Sequence, residues 1–266
     1  MTAVRHGAAA CDRAEFIRQV LGGYDGRFLG CGDDQRRRMT ADTRQVLDAW
    51  LTDEIRAGLP VGHRMRAFCI QHDLIDELAR LVADEAAGRR EGAVVVGGRV
   101  YAVYPYLRGV PRQDADITAE VGVEHRLDAV SWTGDALRIS GRAAIERVAA
   151  RDEHVEIVLH ERSAGTELRI GADPTEDDHG FTATVPRSEL RPGRWDVHAS
   201  VRVLGVVRQA PLGAVRAIGL AGALPDRPEA TAYLTADGHL AVAVPGTARR
   251  LVRAGWRRLT RRRPPS

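Results

Sequence analysis

Two hydrophobic rhythms divide the chain near residue 92. Ahead of it, apolar residues recur three and four apart: Phe16, Ile17, Val20 and Leu21; then Val46, Leu47, Trp50, Leu51 and Ile55, ended by Gly58 and Pro60; then Val61, Met65, Phe68 and Cys69; then Leu74, Leu78, Leu81 and Val82. Such spacing puts each set on one face of a helix. Asp73 has the chemistry of an N-cap for the fourth helix, and Gly88 that of its stop. The glycine-rich stretch GGYDGRFLGCGDD (22–34) lacks the GxGxxG order and a preceding strand, so it reads as a loop between helices.

Beyond residue 92 the period becomes two. In RPGRWDVHASVRVLG (191–205), Trp195, Val197, Ala199, Val201 and Val203 alternate with Asp196, His198, Ser200 and Arg202, the pattern of a strand with one buried and one wet face. AVVVGGRVYAVY, with Gly97-Gly98 at its centre, predicts a hairpin. Further strands are expected near 117–130, 136–148, 154–162, 166–170, 180–185, 194–204, 206–216, 231–235 and 239–244. No helical pattern is interleaved, so the fold class is α+β: an N-terminal helical linker, then an antiparallel immunoglobulin-like β-sandwich. The expected division is a helical linker domain over 1–90, a β-hairpin connector over 91–113, the sandwich over 114–218, a terminal β-hairpin over 219–247 and a basic tail over 248–266. Trp132, Leu137, Ile139, Ile157, Leu159, Trp195, Val197 and Val201 should line the sandwich interior.

Composition narrows the picture. The 266 residues are 44% hydrophobic and 28% charged, as in a soluble globular protein. No apolar run is long enough to span a bilayer, and the N-terminus has no export signal. Three cysteines without a CxxC pair point to reduced thiols in a cytoplasmic setting. All 39 basic residues are arginine, so their number says little about nucleic acid; no specific nucleic-acid partner is expected. Their placement says more. The last twenty residues hold eight arginines and no acid, and removing these from the net +3 leaves the preceding chain near −5.

Candidate chemistry is sparse. Asp114 and Asp116 form a DxD, two carboxylates that could hold a hard cation, but without a nucleotide-binding α/β domain they read as an acidic inter-domain loop. Glu176, Asp177, Asp178 and His179 group in what reads as a solvated hairpin loop. His154 and His160 share a strand face but stand more than about 15 Å apart, too far to share a metal. Asp196 and His198 could begin a triad by type, yet no activated serine accompanies them. No catalytic, cofactor-binding or metal-ligating residue is assigned, and no cofactor is expected. In the tail, Val252, Trp256 and Leu259 share one helical face, ringed by Arg249, Arg250, Arg253, Arg257, Arg258, Arg261, Arg262 and Arg263. A tryptophan-bearing stripe rimmed by cations suits the headgroups of an anionic membrane surface.

GGRVYAVYPYL, HRLDAVSWTGDALRISGRAAIERV, VEIVLHERSAGTELRI and LRPGRWDVHASVRVLGVVRQAPLG follow one another after GLPVGHRMRAFCIQHDLIDELARLVADE. This succession, covering roughly residues 12 to 245, resembles the C-terminal region of actinobacterial family 2 glycosyltransferases and is similar in layout to wall teichoic acid glycosyltransferases. Such enzymes carry an N-terminal nucleotide-sugar domain. Here the helical linker begins almost at Met1, so none of the family's catalytic residues can be carried over. The resemblance implies a non-catalytic accessory region serving oligomer assembly and acceptor or membrane positioning. Its implied partners are a catalytic glycosyltransferase chain, further copies of itself, a glycopolymer acceptor and the inner membrane face. The alternative is a free carbohydrate-binding β-sandwich module, which the low aromatic content of 5% disfavours.

Overall fold

The computed structural model describes residues 2–150, 152–220 and 224–246, with side chains from residue 12 onward. The basic tail over 248–266, with every membrane-contact residue named above, lies outside the described residues. The described residues form two compact units, one within residues 1–121 together with 147–149, and the other made of 122–146 and the described residues from 150 onward.

The first unit is built from α1 (Thr2–Gly22), α2 (Gly26–Leu29), α3 (Asp33–Trp50), α4 (Asp53–Ala57), α5 (Val61–Gln71), α6 (Ile75–Ala86) and α7 (Arg112–Ala115), with the hairpin β1 (Ala93–Val96) and β2 (Arg99–Ala102). Helix α5 is its centre and buries residues on every side, including Val61, Met65, Phe68, Cys69 and Ile70. Ile17, Leu21, Phe28, Leu47, Leu78 and Leu81 pack into the same core. Burial pushes the Cys69 thiol up to about 12, so that sulfur is unreactive.

Three sequence expectations change here. The stretch over 22–34 is not all loop, because Asp25 caps the one-turn helix α2 through Arg27 N–H at 2.8 Å. The apolar face from Val46 to Ile55 is cut at Leu51, where Thr52 accepts from Ile55 N–H and starts a new helix. Trp50 is left 40% exposed, tilted against Phe16 at 5.2 Å. Asp73 is no N-cap. It sits at φ 61° in the left-handed position that ends α5, where Leu74 N–H reaches Cys69 C=O at 2.9 Å. Asp tolerates that conformation better than most residues, and Arg44 holds its carboxylate at 2.8 Å. Gly88 does end α6, with the same pair of closing bonds from Gly88 and Arg89.

The second unit contains β3 (Val123–Thr133), β4 (Ala136–Ile145), β5 (His154–Glu161), β6 (Glu167–Pro174), β7 (Gly180–Pro186), β8 (Gly193–Val203), β9 (Val206–Pro211), β10 (Asp226–Arg227), β11 (Ala230–Leu234) and β12 (Leu240–Val244), all paired antiparallel. One layer runs β3–β4–β7–β6 and the other β6–β5–β8, as in an immunoglobulin-type sandwich. Strand β6 joins them: Glu167–Gly171 pair with β5, and Ala172–Pro174 with β7. The far edge of β8 is shared end to end, with β12 against Gly193–Asp196 and β9 against His198–Val203. β3 begins only at Val123, and the region beyond Pro211 is not strand, so both expected segments are shorter than their patterns suggested.

The interior is the set of alternating residues. Leu137, Ile139, Ile157, Leu159, Trp195, Val197 and Val201 are all buried. Trp132 is the exception. It lies on the inner face at the hairpin end of β3, only half-buried, with the Arg227 guanidinium 5.1 Å over its ring.

Candidate functional site

Asp114 and Asp116 do not converge. Asp114 is 1% exposed on α7, and its Oδ2 accepts from Arg56 at 3.1 Å. Asp116 accepts from Arg99 at 2.8 Å and from the Thr118 N–H and hydroxyl at 2.9 and 2.5 Å. Burial drives the Asp114 carboxyl up. The Asp116 carboxyl is held below its ordinary value, because the bonds from Thr118 and Arg99 together outweigh its desolvation. The DxD is therefore two separate anchors within the helical unit rather than an acidic loop. Among the described residues, no three His, Cys, Asp or Glu side chains are placed to hold a metal ion.

The wet face of β8 is a polar mosaic. Arg162 takes both oxygens of Asp196 at 2.7–3.0 Å, and among the described residues no side-chain hydrogen bond joins that carboxylate to His198. His198 meets His160 edge-on at 4.8 Å, and His160 Nε2 lies 2.7 Å from Gln209 Nε2. Ser200 is buried and has no imidazole as its base.

Burial lowers the His198 pKa, and neighbouring His160 and His239 lower it further against a smaller opposing pull from Asp196. The folded chain therefore binds that proton more weakly than the unfolded chain does. His198 favours folding above the ordinary histidine value, and stability is lost as pH falls below it. The melting temperature should drop as pH falls below about 6.5, and His198→Gln should flatten that slope. An identical slope in the variant would remove His198 from the account.

The loop over 174–180 is solvent-exposed along 174–178, as its composition suggests, and is anchored at its end. His179 Nδ1 contacts Glu153 at 2.7 Å, and the loop folds back so that Thr175 N–H reaches Gly180 C=O at 3.0 Å. A Cβ on Gly180 would stand 2.1 Å from Thr175 Oγ1, so the fold-back needs a glycine. A second constriction lies across the sheet. Strand β3 carries a bulge between Leu127 and Ala129, and a Cβ on Gly141 would stand 2.3 Å from the Arg126 carbonyl oxygen.

Between these two features the outer face of β3, β4 and β7 sinks into a trough of about 460 Å³. Ser131, Ser140 and Thr182 form its floor, with Thr175 and Asp177 on one wall and Asp128 on the other. Composition could not reveal it, because the signals were a strand bulge and two glycines whose neighbours lie on other strands.

A smaller cleft, about 310 Å³, lies in the helical unit between Gly62, Glu85, Arg89, Glu91, Tyr104 and Arg147. Most of its charges are paired: Glu85 with Arg66, Glu91 with Arg147 at 2.9 Å, and Arg89 with Asp84 at 2.6 Å. Neither Trp132 nor Trp195 offers an exposed ring on which a sugar could stack.

Comparison with known proteins follows the same two-part layout. The family model described as the glycosyl transferase TarS linker domain matches residues 13–82, and that of TarS beta-glycosyltransferase C-terminal domain 1 matches residues 116–259. A crystal structure of S. aureus TarS 217-571 superposes with a TM-score of 0.57 at 14% identity, covering 91% of this chain and 72% of that one. A crystal structure of S. aureus TarS gives 0.44 at 13% identity, covering 84% of this chain and 42% of that one. No curated protein sequence matches. At these identities the first likeness speaks for the fold, and the family models speak for descent. With a helical segment that matches the TarS linker ahead of its sandwich, the chain belongs to the TarS beta-glycosyltransferase C-terminal domain 1 family.

Proposed function

We propose that this chain acts as the non-catalytic accessory region of a family 2, cell-envelope glycopolymer glycosyltransferase of teichoic-acid type. In this reading it assembles copies of the enzyme and positions the acceptor or the membrane relative to a catalytic part. The observation that carries the proposal is the consecutive match to a TarS linker and a TarS C-terminal domain. The separate placement of Asp114 and Asp116 supports the same reading, since Asp114 is buried against Arg56 and Asp116 is held by Arg99 and Thr118, so the two carboxylates do not face one shared cation.

The tail supplies the membrane contact at the inner face. Each arginine near an anionic bilayer contributes about 1 kcal/mol, and salt weakens it. No described helix is long and apolar enough to cross a membrane, so contact would be peripheral and salt-sensitive.

Centrifugation tests both parts. Alone, the chain should sediment as an oligomer rather than as a 29.0 kDa monomer. With phosphatidylglycerol vesicles at low salt it should pellet, and deleting residues 248–266 should release it. Equal pelleting with neutral vesicles, or no loss on deletion, would remove the tail from the account. A strictly monomeric chain would remove assembly.

A further inference from the structure

We infer that the tip of the β8–β9 hairpin, Leu204-Gly205 with Arg202 and Val207 beside it, dips into an anionic bilayer surface. The inference begins with a residue out of place. Val203 and Val206 pair across a two-residue turn, and both turn residues have positive φ, 46° at Leu204 and 88° at Gly205. Such a turn favours Asn-Gly or Gly-Gly, and the β1–β2 hairpin places Gly97-Gly98 there at φ 58° and 75°. A leucine carries the left-handed strain that glycine avoids and asparagine bears more easily. It gains no packing in return, because Leu204 is 66% exposed. An apolar side chain held strained and in water points to a surface outside the chain.

The surroundings choose that surface. Val207, 43% exposed, lies across from Arg202, and Arg202 lies across from His154, so the three form one row on the outer face. Among the described residues no carboxylate pairs with Arg202, and no acidic residue lies between Asp196 and Asp226. Glu156, in the next row of that face, is held by Arg169 at 3.2 Å. An aliphatic apex with an unpaired cation and no free acid matches anionic headgroups above acyl chains. Protein contacts are anchored instead by buried aromatic rings, and no Phe, Tyr or Trp lies between Trp195 and Tyr233.

This contact deepens the membrane positioning proposed above and rests on it. One leucine and one valine are too small an anchor to hold the chain unaided. The tail therefore binds first, and the tip meets the bilayer from a tethered position.

Co-sedimentation of the full chain with phosphatidylglycerol vesicles at low salt, read as an apparent Kd, tests the tip through Leu204→Asn. Asparagine suits the turn, so this variant should melt no lower than the parent and yet bind about fivefold more weakly. Leu204→Trp, which keeps an interfacial side chain, should bind at least as tightly as the parent. Arg202→Gln should weaken binding and lower its salt dependence. A lower melting temperature in Leu204→Asn would show that the leucine packs within the chain and would overturn the inference. Unchanged lipid affinity in that variant would overturn it too, and an accompanying loss of oligomer would assign the tip to a protein contact. If tail deletion still releases the chain in that case, only the tip is removed and the tail keeps its role. A parent chain that ignores phosphatidylglycerol vesicles removes both.

Discussion

Arg64→Ala should cost the helical unit about 3–5 kcal/mol, the penalty for breaking a buried charge network from one side. Arg64 is 5% exposed at the middle of α5. Its Nε donates to Asp114 C=O at 2.8 Å and its Nη1 to Leu59 C=O at 3.0 Å. Its Nη2 donates to Asp116 C=O at 2.6 Å and to the Glu120 carboxylate at 2.7 Å. One planar guanidinium thus ties α5 to the turn before it and to the α7 segment, which no local hydrogen bond could do. Alanine leaves three carbonyls and a carboxylate without their donor, and each buried orphan carries its own desolvation cost. Arg64→Lys should recover only part of the loss, because a single ammonium cannot copy the fork. Hydrogen exchange at the α5 amides reads this unit separately from the sandwich. A loss below about 1 kcal/mol in the alanine variant would show that these bonds are replaced by water.

Arg64 illustrates what the sequence does not disclose. It sits in HRMRAFC, where Met65, Phe68 and Cys69 announce a buried face and an arginine is by default taken as solvated. Its partners lie up to 56 residues away, beyond any local pattern. The same holds for Asp114, whose Arg56 partner is 58 residues distant, so the DxD looked like a unit although its members serve different neighbours. Alternation in β8, by contrast, is purely local, and the buried members of that strand were legible because one strand face is one residue in two. Trp132 marks the limit of that rule. Once the bulge that the structure shows at Asp128 is counted, parity puts it on the inner face, but how far along the strand the opposite layer extends is a tertiary fact. The trough was invisible for the same reason. Its floor residues belong to three strands, and its walls depend on a bulge and a loop whose close approaches are made to Gly141 and Gly180.

Trp195→Ala should lower the stability of the sandwich by about 3–5 kcal/mol, through lost transfer energy and the cavity left behind. Trp195 is the largest fully buried side chain of the described residues, 1% exposed, and its Nε1–H donates to Arg191 C=O at 3.0 Å. Its position multiplies the consequence. In register it lies between Glu161 of β5 and Val242 of β12, so the ring sits where the extra hairpin joins the immunoglobulin-type layer. Loss of the ring therefore loosens two strand pairings as well as the core beneath them. Trp195→Phe keeps most of the buried volume and gives up the indole donor, which limits its cost to about 1–2 kcal/mol. Urea unfolding followed by far-ultraviolet dichroism gives both values, provided the slope with denaturant is unchanged between variants. Equal stability of the alanine variant and the parent would mean that the ring is exposed in solution. It would then be free to stack on a sugar, and the carbohydrate-binding reading would displace the accessory one.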